Sequence, residues 1–129
     1  MSGRVMHFEI PFDDSDRGTA FYREVFGWNV MAMPGLQYTM VSTGPVSDEG
    51  MPSEPGYIGG GMFQREDDIA SPVITIDVDD IDAALAKVED SGGQTVRPKD
   101  PVGDMGFAAY FKDSEGNLLG LWQSAAPQS

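Results

Sequence analysis

The sequence predicts an α+β fold: two tandem βαβββ units forming a curved mixed sheet around a cleft, with the helices outside. Three observations carry that expectation. Short β-rich runs with period-two alternation surround two stretches whose apolar residues recur at helical spacing. Each helical stretch opens on an aspartate pair, Asp13-Asp14 or Asp79-Asp80, and stops at glycine, Gly27 or Gly92-Gly93. The second half also repeats the first. A shift of 66 residues carries Ile10 onto Ile76, Asp13-Asp14 onto Asp79-Asp80, Asp16 onto Asp82, Ala20 onto Ala86, Gly27 onto Gly93 and Val30 onto Val96. A shift of 59 carries Gly61-Met62-Phe63-Gln64 onto Gly120-Leu121-Trp122-Gln123. One domain is expected over residues 1–129, with repeat units at about 4–66 and 71–123.

Val5 to Phe12 reads as the first strand. Side chains two apart share a face. Phe8, Ile10 and Phe12 are expected in the core, while His7, Glu9 and Pro11 look into the cleft. Asp13 to Asp16 supply caps and negative charge for a helix from Ser15 to Phe26, with an apolar stripe of Ala20, Phe21, Val25 and Tyr22. Trp28 to Met33 is a second strand, ended by Pro34-Gly35. Leu36 to Thr43 is a third, with Tyr38, Met40 and Ser42 on one face. The Pro-, Gly- and acid-rich run from Gly44 to Gly56 is a mobile surface loop. Tyr57 to Gln64 is a fourth strand that passes through Gly59-Gly60-Gly61. Three glycines there imply either a bulge or bend, or backbone that must come close to a ligand.

Arg65 to Ser71 is a polar linker. Pro72 to Val78 is the fifth strand, with Ile74, Ile76 and Val78 toward the helix and Val73, Thr75 and Asp77 away from it. The second helix turns Ile81, Ala84, Leu85 and Val88 inward. Gln94 to Val96 is a short strand and Arg97 to Gly106 a loop. Phe107 to Lys112 and Leu118 to Gln123 are joined by a hairpin turn at Asp113 to Asn117. Ser124 to Ser129 is a frayed tail.

Composition limits the chemistry. The formal net charge is −13, and eight Lys and Arg stand against 21 Asp and Glu. Such a surface repels phosphate backbones, so no nucleic-acid partner is expected. No apolar run is long enough for a membrane helix, so no membrane partner is expected either. The first five residues hold no apolar leader segment, which makes the cytoplasm the default location. The chain has no cysteine, which excludes disulfides, thiolate metal sites and cysteine nucleophiles. No P-loop, dinucleotide fingerprint or nucleophile elbow is present.

The chain's one histidine, His7, and its strand neighbour Glu9 are the candidate catalytic pair. An imidazole titrates near neutral pH, and a carboxylate beside it can hold an imidazolium or act as a base. Gly61, Phe63, Val73, Thr75, Gly120 and Trp122 are the candidate ligand-binding residues. Glycine beside an aromatic ring on a sheet face makes room for a flat ligand and a surface to stack it on.

The order of elements, together with HFEIPFDD, FYREVFGW, GGGM, ITIDVDDIDAALAKVEDSGG and FKDSEGNLLGLW, resembles the vicinal oxygen chelate superfamily. That group holds glyoxalase I, the bleomycin-resistance proteins and the extradiol dioxygenases, and the likeness is greatest to its uncharacterised glyoxalase-like proteins. The resemblance spans about residues 4–123 and is specific for fold but weak for activity, since this fold hosts many chemistries. It implies a homodimer. It also implies four positions that ligate a divalent metal in metal-dependent members, and these fall on His7, Gly61, Val73 and Gly120. Only His7 can ligate. A catalytic metal wants three protein ligands, so no metal cofactor is expected, a weakly held divalent ion at His7 and Glu9 being the alternative. Two functions remain: a protein that binds a small-molecule ligand, and an enzyme of isomerase, lyase or dioxygenase type working through His7 and Glu9.

Overall fold

In the computed structural model, residues 3–33, 35, 37–48 and 51–125 are described. Among these are eight strands and two helices, an α+β fold. The chain divides into two compact units, His7–Pro72, and Val73–Ser129 together with Met1–Met6. Pro34, expected to end the second strand, and Leu36, expected to open the third, lie outside the described residues, as do 49 and 50 of the long loop and the tail beyond 125.

The first unit runs β1 (Arg4–Phe12), α1 (Ser15–Phe26), β2 (Asn29–Met33), β3 (Tyr38–Ser42) and β4 (Gly60–Gln64), the first three residues of β1 grouping with the second unit. Its strands lie in the order β2-β3-β4-β1, antiparallel except for the parallel pair β1 and β4. The second unit runs β5 (Val73–Asp77), α2 (Ile81–Asp90), β6 (Gln94–Val102), β7 (Gly106–Lys112) and β8 (Leu118–Ser124). Its strands lie in the equivalent order, β6-β7-β8-β5, with β5 parallel to β8. The register repeats as well. Glu9 pairs with Gly61 in the first unit, and their repeat partners Thr75 and Gly120 pair in the second.

The helix starts follow from local chemistry. The Asp14 carboxylate accepts from the Arg17 backbone N–H at 3.0 Å, and Asp80 accepts from Ala83 at 3.1 Å. Each satisfies an N–H that the first turn leaves unpaired. Gly27 ends α1 at φ 74°, the left-handed conformation that glycine takes without strain. Helix α2 buries the stripe expected of it: Ile81 and Leu85 join Ala109, Phe111 and Leu121 in one core, flanked by Ala84 and Val88.

Helix α1 departs from expectation. Phe21 and Val25 are 54% and 55% exposed, and no residue of the helix is fully buried. The face turned to the sheet carries Gly18 and Tyr22 instead. A Cβ on Gly18 would lie 2.8 Å from the Phe12 Cβ, so the helix backbone comes down onto β1 where no side chain stands between them. Tyr22 stacks on Trp28 at 4.8 Å, and Trp28 meets Phe8 at 5.6 Å.

Two further corrections concern strands. The expected loop at 97–106 is mostly sheet, because β6 continues to Val102 with Asp100 opposite Ala108 and Pro101 opposite Phe107. The expected burial of β1 is also reversed: Glu9 and Pro11 are buried, while Phe8, Ile10 and Phe12 are only half-buried. In β5 the buried residues are Val73 and Thr75, and Ile74 is exposed. Glu9, Pro11, Val73 and Thr75, all expected to face a wet cleft, are therefore the best covered residues of their strands. In the long loop the Tyr57 hydroxyl donates to the Pro45 carbonyl, and Val46 bridges Pro52.

Candidate functional site

On β1 the alternation of the strand places His7 and Glu9 on one face. A residue of β3 joins them. The Tyr38 hydroxyl lies 2.7 Å from His7 Nε2 and donates to Glu9 Oε2 at 2.8 Å. The phenol thus links the two residues named as a catalytic pair. Gln37, just before it, holds φ 44°, the one left-handed non-glycine among the described residues. That conformation costs of order 1 kcal/mol or more in a residue with a Cβ, and it persists only where the surroundings hold it.

Gly61 explains how Tyr38 reaches this position. A Cβ built on Gly61 would fall directly on the Tyr38 Oη, Cζ and Cε2 atoms. The ring occupies the volume a side chain would need. On the adjacent residue the Phe8 ring does the same, with Cε1 2.5 Å from a Cβ built on Gly60. Two of the three glycines in the β4 run are therefore glycines because rings of this chain lie on them. Phe63 closes the row. His7, Tyr38 and Phe63 form three near-parallel rings, with successive centroids 6.4 and 6.3 Å apart and planes tilted by 16° and 19°.

Burial sets the charge states around this row. Desolvation pulls the His7 pKa down from 6.5 to about 4, so the imidazole is neutral at pH 7. Glu9 is 8% exposed and accepts from Tyr38. The direction of the proton chain follows. The Tyr38 hydroxyl has one hydrogen and gives it to Glu9, so its lone pair is what faces His7. His7 Nε2 must then carry the ring proton and donate it to Tyr38, which leaves Nδ1 as the imidazole's acceptor.

The second unit places Val73, Thr75 and Gly120 together. A Cβ on Gly120 would lie 3.1 Å from Thr75 Oγ1 and 3.5 Å from both Tyr110 Cε2 and Val73 Cγ1. The last two are ordinary van der Waals distances and the first is tight, so a Cβ at Gly120 would need a small shift of Thr75 where at Gly61 it has no space at all. The Arg97 guanidinium sits over the Tyr110 ring at 5.9 Å. Trp122 does not cover Gly120. Its ring lies against Gly106, and its Nε1 donates to Ser124 Oγ at 3.3 Å.

A family profile for the N-terminal region of bleomycin resistance protein-like chains matches residues 4–44. CFP32 of Mycobacterium tuberculosis, which bears the name of a glyoxylase, is 31% identical over 122 residues, 90% of this chain and 44% of its own length. The chain thus spans less than half of that relative. Lactoylglutathione lyase of Haemophilus influenzae is 29% identical over 130 residues, covering 98% of this chain and 96% of the lyase. In structure, the methylmalonyl-CoA epimerase of Streptomyces coelicolor, in complex with 2-nitronate-propionyl-CoA, matches with a TM-score of 0.65 at 21% identity, over 100% of this chain and 99% of that one.

The family profile, the relatives and the fold all fit the vicinal oxygen chelate superfamily.

The superfamily's metal positions can then be tested against the donors present. Of His7, Gly61, Val73 and Gly120, one has a side chain that binds metal. His7 Nε2 is hydrogen-bonded to Tyr38, the volume over Gly61 is filled by that ring, and Val73 is buried and apolar. Among the described residues no group of three or more His, Asp or Glu side chains is arranged to hold a metal ion. The donor set does not fit the superfamily's four-ligand metal. Tyr38 was not singled out for the site from sequence, although its strand face carried the signal. Met40 pairs with Gly61 across β3 and β4, and Tyr38 lies two residues from Met40, diagonal to the glycine.

Proposed function

We propose that this protein binds a small organic molecule on the face carrying His7, Glu9, Tyr38 and Phe63, without the superfamily's tightly held metal. The observation that carries the proposal is the Tyr38 phenol, bonded to His7 Nε2 and lying over Gly61. The Tyr38 ring fills the volume that a ligating side chain at position 61 would need. Val73 and Thr75, beside Gly120, are buried, so the contact surface left to a ligand among the candidate residues is the half-buried rings of Phe63 and Trp122.

The ligand is neutral or cationic on this reading. With eight Lys and Arg in a chain of net charge −13, no basic cluster is available to hold phosphates like those of the epimerase's coenzyme A ligand. Two relatives with catalytic names support a second reading, an isomerase or lyase working through His7 and Glu9. The neutral imidazole favours a base over an acid in that role.

Elemental analysis of tag-free protein, purified without chelator and then incubated with Zn, Mn, Ni or Fe(II), is the direct test. Far less than one equivalent per chain is expected, and one equivalent of a single metal would overturn the proposal. The reading includes a cytoplasmic homodimer, and light scattering that finds monomer at every concentration would remove the dimer from it.

A further inference from the structure

We propose that Tyr38 is a positioning residue that locks His7 in the Nε2–H tautomer, so that the site presents Nδ1 as an acceptor and selects flat ligands bearing an O–H or N–H donor. The lock rests on geometry alone, and only the ligand class rests on the binding reading above.

The geometry is a directed chain. Tyr38 has a single hydroxyl hydrogen, and Glu9 Oε2 takes it at 2.8 Å. The Tyr38 oxygen can then only accept from His7 Nε2, at 2.7 Å. A tyrosine free to rotate would allow either tautomer. Here the ring is wedged over Gly61 and stacked between His7 and Phe63, so the hydroxyl stays between imidazole and carboxylate. Reversing the chain would require a protonated Glu9 to donate to Tyr38, which would donate to Nε2 and push the ring proton to Nδ1. Among the described residues no hydrogen-bond partner of Nδ1 is recorded, and His7 is half-buried rather than sealed. A ligand that meets Nδ1 must bring the hydrogen. The near-parallel rings of the row favour a flat ligand, since stacked faces exclude bulky sp³ groups. Phenols and enols fit this description, and ethers and simple ketones do not.

One histidine in the chain makes the test unambiguous. Nitrogen-15 NMR of the imidazole in the full-length protein at pH 7 should show a protonated Nε2 and an unprotonated Nδ1. The Nδ1–H tautomer, or a doubly protonated ring, overturns the lock. In Tyr38→Phe the single-tautomer pattern should give way to a mixture, while Tyr38→Phe that keeps the wild-type pattern assigns the lock elsewhere and also overturns it. If that variant does not fold, the wild-type spectrum still decides. Phenol and anisole, a matched pair with and without the donor, then test the ligand class. Saturating phenol should shift the Nδ1 resonance and anisole should not. Equal shifts, or none from either, reject the ligand class while leaving the lock intact. Metal found by elemental analysis would reject the binding reading without altering the tautomer result.

Discussion

Gly61→Ala is expected to destabilise the protein by roughly 3–5 kcal/mol, whereas Gly120→Ala, at the repeat-equivalent position, is expected to cost less than about 1 kcal/mol. The two residues pair in the same register with Glu9 and Thr75, so backbone context is matched. What differs is the neighbour. At Gly61 the added carbon would coincide with the edge of the Tyr38 ring, a rigid group that can yield only by swinging away as a whole. Such a swing breaks the bonds to His7 Nε2 and Glu9 Oε2 together. Overpacking a filled site costs about 1–3 kcal/mol, and withdrawing a hydrogen-bond partner from a buried polar group costs a similar amount. At Gly120 the nearest atom is Thr75 Oγ1 at 3.1 Å, a hydroxyl that can shift by a few tenths of an ångström. Urea unfolding of both variants measures the difference. A Gly61→Ala midpoint close to that of wild type, at unchanged m-value, would mean that Tyr38 does not lie on the glycine.

The same contrast marks what could be read from the chain. Helix ends were legible because their signals are local: Asp14, Asp80 and Gly27 act within one turn of themselves. The apolar stripe of α2 was legible because its four residues have only one sheet to pack on. Helix α1 was not, because the decisive residue is Gly18, whose lack of a side chain lets the helix touch Phe12. A stripe count looks for large residues and passes over it. Pro98, Pro101 and Gly103 read as loop, yet Pro101 stands in β6 opposite Phe107. Strand β6 ends its row, and proline is tolerated on an edge strand where its missing N–H is not needed. The register shifts between Thr95 and Arg97, and again before Asp100, absorb the remaining misfit.

The candidate site divides in the same way. Alternation was enough to put His7 and Glu9 together. The third member was hidden because its link to them is a long-range fact: Tyr38 stands 31 residues from His7 and 29 from Glu9. The glycines were the trace it left. A run of Gly59, Gly60 and Gly61 announces that something lies against the strand, and sequence alone does not say whether that is a ligand or the protein itself. At Gly60 and Gly61 it is the protein.

The neutral His7 carries a second large expectation, a pH-dependent stability that His7→Gln removes. In the folded state the His7 pKa lies near 4, against 6.5 for an unburied imidazole. Below pH 6.5 the unfolded chain therefore takes up a proton that the folded protein refuses, and stability falls as pH falls. The loss begins near pH 6.5 and levels off near 4, where the folded protein also accepts the proton. A gap of this size corresponds to about 3 kcal/mol over the window. The 21 carboxylates also titrate as the solution is acidified, but they are common to both proteins and cancel in the difference between wild type and variant. Glutamine can keep a donor toward Tyr38 and has no titrating group, so it isolates the ionisation rather than the contact. Unfolding free energies of the two proteins, measured from pH 7.5 to 4, should therefore diverge in favour of His7→Gln by about 3 kcal/mol as pH falls. A constant difference would place His7 in water at its ordinary pKa. The imidazole would then be charged over much of that range, and a site that depends on an unprotonated Nδ1 would have lost its acceptor. The divergence is thus the thermodynamic counterpart of the acceptor role: burial that costs stability in acid is what keeps His7 neutral for a ligand that brings its own hydrogen.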